Sequence, residues 1–429
     1  MNFEIKQRIE RIKNGEVPEG YFRTKIGVFP DDWEVVSFDE KFNRLDRKND
    51  EDNQNVLTIS AQQGLISQED YYTSSYASEN KKGYSLLYKG DFSYNKSYSG
   101  DYLYGAIKRL DKYEKGIVSP LYICFEPKDG TNSEFYLQYF EAGLFNGEIY
   151  KIAQEGARNH GLLNVSITDF FKTRLVNPPS KEQQKIAEIL MQCDKVIELK
   201  QKRIEEEKKL KKALMQKLLN PDSGISLPGF KGEWSLLKLG DCVSIIRGGS
   251  PRPIEKYLTN YKDSVNWIKI GDTHEEEKYI VQVAERITKE GASTARYVFK
   301  GEFWLSNSMS YGRPYILKDD GCIHDGWLAL RNYNTIFNID FLYYMLSSQF
   351  VLYQYEMFAA GSGVHNLNID LVANTRVYAP TIEEQIEIAE ILSTQDVKIR
   401  TLLIELEQWQ HKKKSLMQLL LTGIMRVQA

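Results

Sequence analysis

Two stretches of the chain carry the clearest pattern of apolar and polar positions. Residues of about 180–219 and 382–421 contain no Gly or Pro and are rich in Glu, Lys, Leu and Ile. At alternating four- and three-residue steps, positions 186, 190, 193, 197, 200, 204, 207, 211, 214 and 218 hold Ile, Leu, Cys, Ile, Lys, Ile, Glu, Lys, Leu and Leu. The matching positions 388, 392, 395, 399, 402, 406, 409, 413, 416 and 420 hold Ile, Leu, Gln, Ile, Leu, Leu, Trp, Lys, Leu and Leu. Both are coiled-coil stripes with polar interruptions. Forty helical residues span roughly 60 Å. A lone helix of that length would leave its stripe wet, so the two are expected to pack on each other, antiparallel. Pro178-Pro179 and Pro380 mark the starts, and Asn220-Pro221 and Thr422-Gly423 the ends.

The remainder reads differently. Short apolar or aromatic runs are broken by Gly, Asn, Asp and Ser. Val56–Ile59, Tyr84–Tyr88, Leu121–Phe125, Trp267–Ile270 and Trp327–Leu330 read as strands. Phe135–Phe140 and Phe341–Leu346 read as short helices, and residues 3–13 as a weakly amphipathic one.

These parts repeat. Phe29-Pro-Asp-Asp-Trp33 resembles Phe230-Lys-Gly-Glu-Trp234, and Gly90-Asp-Phe92 resembles Gly301-Glu-Phe303. The run Ile117–Ile123 matches Cys322–Leu328 in apolar pattern. Ile186-Ala-Glu-Ile-Leu190 is identical to Ile388-Ala-Glu-Ile-Leu392, and Leu214-Met-Gln216 to Leu416-Met-Gln418, both 202 positions apart. A spacing that widens and then returns marks two copies of one unit with a loop insertion, placed near Gly248–Pro253. The expected organisation is 1–33 as an N-terminal helix and lead-in, 34–179 as a first α+β domain and 180–220 as a long helix. Residues 221–379 then form a lead-in and second α+β domain, and 380–429 a second long helix. The fold class is α+β: two globular domains separated by two long antiparallel helices, with a pseudo-two-fold internal repeat.

Composition narrows the function. With 42% hydrophobic and 27% charged residues over 429 positions, the chain is globular. No run suits a transmembrane helix, and the charged start MNFEIKQRIERIKNG lacks the apolar stretch of a secretory signal. Cys124, Cys193, Cys242 and Cys322 are far apart, which fits a reducing cytoplasm. A net charge of −3 means that any nucleic acid is met locally or with help.

Sequence motifs for chemistry are few. GxxxxGK[ST], GxGxxG, HExxH and metal-spaced Cys/His groups do not occur. His160, His274, His324, His365 and His411 are dispersed and read as structural. Asn177-Pro-Pro-Ser180 resembles the Asn-Pro-Pro-aromatic motif of DNA adenine methyltransferases. Ser180 replaces the aromatic residue and no Gly-rich cofactor loop precedes it, so a proline cap at a helix start is the reading adopted.

The arrangement as a whole resembles the specificity (S) subunit of type I restriction–modification systems. Pro18-Glu-Gly-Tyr21 leading to Pro30-Asp-Asp-Trp33 carries the resemblance, with Leu227-Pro-Gly-Phe-Lys-Gly-Glu-Trp234 and the two duplicated helix starts and ends. The resemblance implies two target recognition domains on a helical spacer, reading the two halves of an asymmetric double-stranded DNA site. It implies two methyltransferase (M) subunits as partners and, where present, two restriction (R) subunits, with no membrane. It implies no active site, cofactor or metal in this chain; S-adenosylmethionine belongs to the M subunits and ATP with Mg to the R subunits. A protein–protein scaffold that never touches DNA is the alternative from another class, and a stand-alone methyltransferase using Asn177-Pro178-Pro179 a third.

Base-edge readers are chosen on chemistry: Arg, Lys, Asn and Ser on loops, with aromatics to stack. The candidates after the Gly-(Asp/Glu)-Phe element are Asn95, Lys96, Ser97, Tyr98 and Tyr102, and Ser306, Asn307, Ser308, Ser310, Tyr311 and Arg313. Those before the last strand are Arg158, Asn159 and His160, and His365 and Asn366. The insertion adds Arg247, Ser250 and Arg252.

Overall fold

The computed structural model describes residues 3–60, 64–71, 81–97, 102–153, 163–223, 227–273, 277–280, 283–307, 312–362 and 367–427. Two compact units divide the chain. The first is Met1–Lys200 with Glu405–Ala429; the second is Gln201–Ile404.

The long helices run Ser180–Leu218 and Ile382–Leu420, each 39 residues without interruption. Each contributes residues to both units. In the first unit, Ile186, Ala187 and Leu190 share one core with Leu416, Met417, Leu420 and Leu421. In the second, Ile388, Ala389 and Leu392 share a core with Leu214, Met215, Leu218 and Leu219. The start of one helix meeting the end of the other is antiparallel pairing, as the stripes predict.

The polar interruptions of the stripes are paired across to the other helix. In the first unit, Lys200 Nζ lies 2.6 Å from Glu405 Oε2, and Lys413 Nζ 2.5 Å from Asp194 Oδ1. In the second, Lys211 Nζ lies 2.6 Å from Asp396 Oδ1, and Gln395 Nε2 donates to Glu207 Oε2 at 2.7 Å.

The α+β part of the first unit is built on a four-stranded antiparallel sheet. Its spatial order is Phe42–Arg44, Ile123–Pro127, Phe92–Asn95, Ala106–Arg109. Phe38, Phe42, Phe92, Phe125, Phe140 and Phe170 fill the core beneath it, most ring pairs meeting edge-on or tilted. Helix Ser133–Glu141 covers that core; Asn132 Oδ1 caps it by accepting from the Phe135 amide at 3.0 Å.

The second unit repeats the sheet: Ser244–Arg247, Trp327–Arg331, Phe303–Ser306, Pro314–Leu317. Register is kept as well as order. Tyr94 faces Ile123 in the first sheet, and Leu305 faces Leu328 in the second, the pairs that the sequence repeat aligns. The second unit then adds a fifth strand, Tyr279–Ile280, parallel to Pro314–Leu317. It also has a further sheet ordered Glu285–Ile287, Val265–Ile268, Gly321–Ile323, Arg296–Val298. Helix Ile339–Leu346 corresponds to Ser133–Glu141 and buries every residue from Phe341 to Leu346. In both units a two-stranded pair closes the domain just before a long helix starts: Glu34–Ser37 with Arg174–Asn177, and Ser235–Lys238 with Arg376–Ala379.

The Trp of each lead-in is fixed to the helix that follows. Trp33 Nε1 donates to Glu182 Oε2 at 2.9 Å, and Trp234 hydrogen-bonds Glu384. In the first unit the chain terminus joins this knot: Arg426 reaches Glu182 at 2.8 Å and Asp32 at 2.7 Å, and Tyr21 Oη donates to the Gly423 carbonyl at 2.6 Å. Gly423 has φ +69°, and a Cβ there would stand 2.5 Å from Pro30 Cδ, so the turn admits only glycine.

Leu190 and Leu392 are fully buried at repeat-related positions, whereas Leu210 is 46% exposed. Leu190→Ala and Leu392→Ala should each cost about 2–5 kcal/mol in chemical denaturation, and Leu210→Ala under about 1 kcal/mol.

Candidate nucleic-acid interface

In the second unit the strand ends converge on one edge of the five-stranded sheet. Arg247 ends its strand opposite Leu328, Ser306 ends its strand opposite Trp327, and Pro314 begins the next opposite Leu305. The sharp approach of Gly248 shapes this edge. Its amide donates to the Trp327 carbonyl at 2.8 Å, and a Cβ would lie 2.1 Å from the His324 carbonyl oxygen. Any larger residue would push the Arg247–Arg252 segment off the sheet.

Asp325 is the centre of the cluster. Its Oδ1 accepts from Ser250 Oγ at 2.7 Å and lies 3.1 Å from His324 Nε2; its Oδ2 accepts from Arg252 Nη2 at 3.3 Å. The Asp325 carbonyl accepts from Arg247 Nε at 3.1 Å and Asn307 Nδ2 at 3.2 Å. Partial burial pushes the carboxyl up, but the Ser250 hydrogen bond, His324 and Arg252 outweigh it and hold Asp325 below the usual carboxylate range. Arg247 is exposed, and the Arg252 side chain is 83% exposed, so both guanidiniums keep donors facing solvent. The exposed Arg296 stands beside them, its amide donating to the Gly249 carbonyl at 3.1 Å.

Two sequence candidates sit behind this edge rather than on it. Ser306 is fully buried, and its Oγ accepts from the Arg313 amide at 3.1 Å. Asn307 is 5% exposed, its side chain spent on Asp325 and its carbonyl on the Leu367 amide. Ser306 is the last residue of its strand and Asn307 follows it directly, so both side chains are turned into the frame of this edge. Arg313 is half-buried between them and the next strand.

The corresponding edge of the first unit is built from the end of Phe92–Asn95 and the start of Ala106–Arg109. Asn95 Oδ1 accepts from the Ser97 amide at 2.9 Å, closing an Asx turn, and the Lys96 carbonyl accepts from the Leu163 amide at 3.0 Å. Ser97 is exposed and Lys96 half-buried. Next to them opens a cavity of about 400 Å³ lined by Tyr94, Tyr102, Tyr104, Lys108, Glu141 and Asn146, among others. The Lys108 ammonium inside it lies 2.6 Å from Glu141 Oε1 and 5.9 Å from the Tyr102 ring centroid.

Tyr98, Arg158, Asn159, His160, Ser308, Ser310, Tyr311, His365 and Asn366 lie outside the described residues. Asn177 holds a helix start: its Nδ2 donates to Glu34 at 3.1 Å, and its Oδ1 accepts from Gln183 Nε2 at 2.9 Å. Burial pushes the Cys124 and Cys322 thiols up to about 11, away from the thiolate that a nucleophile needs. Among the described residues no His/Cys/Asp/Glu group suits a metal ion, and no helix is long and apolar enough to cross a membrane.

Sequence reasoning missed His324, Asp325 and Arg296. The sequence carries a signal for them: His324-Asp325-Gly326 is a polar turn between two apolar runs.

Asp325→Asn should destabilise the second unit by about 1 kcal/mol at neutral pH. Because the folded carboxyl is more acidic than the unfolded one, that contribution is present above about pH 4 and is lost as pH falls through the folded value. Urea midpoints of the wild type and the variant should therefore converge as the pH falls below the usual carboxylate range.

Comparison with known proteins fits the duplicated architecture. The chain is 25% identical over 337 residues to the type I restriction enzyme MjaVIII specificity subunit of Methanocaldococcus jannaschii, covering 73% of this chain and 75% of that protein. It is 24% identical over 429 residues to the putative MjaX specificity subunit of the same organism, covering 95% and 97%. In fold it is similar to a type I R-M system structure, with TM-score 0.58 and 16% identity over 92% of this chain and 99% of that one. A crystal structure of the type I S subunit from M. genitalium gives TM-score 0.54 and 15% identity over 92% and 97%. The family model for the type I restriction modification DNA specificity domain matches twice, at residues 30–208 and 231–408, and the chain therefore belongs to that family.

Proposed function

We propose that each unit reads one half of a bipartite, asymmetric double-stranded DNA site, and that the two long helices set the unspecified gap and dock two methyltransferase (M) subunits. One observation carries this reading. The same four-stranded sheet, in the same register, presents unlike polar edges in the two units. One offers Lys96, Ser97 and Tyr102; the other offers Arg247, Ser250, Arg252 and Arg296. A constant frame with variable tips is what two different half-sites require. Arg247 and Arg252 suit bidentate contact with guanine or phosphate, and Tyr102 suits stacking.

The chain supplies recognition and its partners the chemistry. S-adenosylmethionine is held by the M subunits, and ATP with Mg by R subunits where the host carries them. The net charge of −3 fits this division, since most of the phosphate contact falls to those partners. The complex acts on cytoplasmic DNA.

Methylome sequencing of a host carrying this chain with its M partner should show adenine methylation in a two-part asymmetric motif with a fixed gap. A continuous motif would overturn the reading, and so would an assembled complex that never shifts duplex DNA, which would leave a protein scaffold. Arg247→Ala should relax one position of one half-site by about 1–3 kcal/mol and leave the other half-site intact.

Matching four-residue insertions in both long helices, near Lys208 and its counterpart, extend each helix by roughly 6 Å and rotate its ends by about 40°. The gap should change and both half-sites stay the same. Altered half-site bases would refute the spacer role.

A further inference from the structure

The repeat puts an aspartate at one position of each long helix, Asp194 and Asp396, and a lysine at another, Lys211 and Lys413. The structure joins them crosswise. In the first unit, Asp194 Oδ1 accepts from Lys413 Nζ of the other long helix at 2.5 Å. Its Oδ2 accepts from Gln138 Nε2 at 2.8 Å, and Gln138 belongs to helix Ser133–Glu141 of the α+β domain. In the second unit, Asp396 Oδ1 lies 2.6 Å from Lys211 Nζ of the other long helix. Its Oδ2 accepts from Tyr344 Oη at 2.7 Å, and Tyr344 belongs to the corresponding helix Ile339–Leu346.

Each carboxylate thus ties three elements: its own helix, the opposite helix and the domain. A carboxylate has two acceptor oxygens that can serve donors on different sides, which no amide or hydroxyl matches. Both domain donors are locked by packing. Gln138 is 3% exposed and Tyr344 is fully buried. Burial, with the Asp396 charge beside it, pushes the Tyr344 phenol well above its ordinary range, so it stays a donor. Tyr344 is gripped from the domain side too: Lys278 Nζ lies 5.0 Å from the ring centroids of both Tyr343 and Tyr344 and 2.6 Å from Asp340 Oδ1. The donors differ between the units, amide in one and phenol in the other, but the three-way geometry is the same.

We propose that Asp194 and Asp396 are positioning residues that fix the angle of each recognition domain on the helix pair, and so set how strictly the spacing between half-sites is held. The proposal rests on the DNA-reading function above. The Asp194 and Asp396 side chains are 43% and 30% exposed, so such pairs add little to global stability and their effect falls on orientation.

The test uses the chain assembled with its M partners, and duplexes carrying the native gap or a gap one base pair longer. Asp396→Ala should lower the preference for the native gap about tenfold, the equilibrium weight of one charge-assisted hydrogen bond. Tyr344→Phe, which keeps the packing and removes only the domain tie, should lower it in the same direction by a smaller factor, and Gln138→Leu should do the same for the first unit. Base preference within each half-site should stay at wild-type values, and Tyr344→Phe, which leaves only a part-exposed carboxylate oxygen to water, should keep the wild-type melting temperature. A folded Asp396→Ala or Tyr344→Phe complex with wild-type gap preference would overturn the assignment. Equal loss on both duplexes with a lowered melting temperature would also overturn it, leaving a structural role. A wild-type complex indifferent to gap length would instead overturn the DNA reading itself, and this proposal with it.

Discussion

Everything in this protein depends on helices that are shared between units. Neither unit is made from one repeat alone. The first takes the opening half of its own helix and the closing half of the other copy's, and so does the second. Each unit therefore buries an apolar stripe that its own repeat cannot cover. Ile186 and Leu190 lie against Leu416 and Leu420 in one core, and Ile388 and Leu392 against Leu214 and Leu218 in the other. At about 1.5–3 kcal/mol for each fully buried side chain, these contacts are of the same order as the stability of a whole domain. The duplication is therefore a folding requirement and not only a way to present two surfaces.

Apolar stripes alone would permit the helices to slide by a heptad. The polar positions prevent that. Glu207 is 3% exposed, and it survives burial only because Gln395, Lys398 and Arg203 surround it. Hydrogen bonds from Gln395 and Lys398 draw its carboxyl below the usual range. A slipped register would take Gln395 and Lys398 away from that carboxylate and leave it only Arg203 of its own helix, an unfavourable exchange for a buried charge. The repeat-related position of Gln395 in the first unit is Cys193, an apolar choice. This layer, with the Lys200–Glu405, Lys413–Asp194 and Lys211–Asp396 pairs, favours one register of the two helices.

The helices and the repeat were legible in sequence because their physics is local and periodic. The expected spans of about 180–219 and 382–421 differ from the observed ends by one residue. The short helices at Phe135–Phe140 and Phe341–Leu346 were legible for the same reason, being dense apolar runs with an Asn cap in front. The long-range pairings were not. Trp267–Ile270 reads as a strand, yet nothing nearby says that Val265–Ile268 lies parallel to Gly321–Ile323, more than fifty residues on, or that Ile270 already starts a 3-10 turn. The burial of Ser306 and Asn307 was hidden for a related reason. Their types suit a DNA-reading loop, and only the sheet register shows that one is still inside the strand and the other immediately behind it.

The two sheet edges show how unlike edges are mounted on one frame. The register from Tyr94–Ile123 to Leu305–Leu328 is untouched although the segments between the strands differ in length. In the second unit the chain leaves the sheet at Gly248, adds the fifth strand at Tyr279–Ile280, and supplies three strands of a further sheet that Gly321–Ile323 completes. Its cationic residues gather on Asp325, a residue of the shared frame's own turn. The first unit meets the same edge with an Asx turn at Asn95 and a tyrosine-lined cavity instead. Variation is thus confined to chain that leaves and rejoins the sheet at fixed points. The carboxylates that join domain to helix, Asp194 and Asp396, lie on the opposite side of that division, among the parts that repeat. A new edge can be fitted to the frame without disturbing either tie, and a change at either tie should move an edge without altering its chemistry.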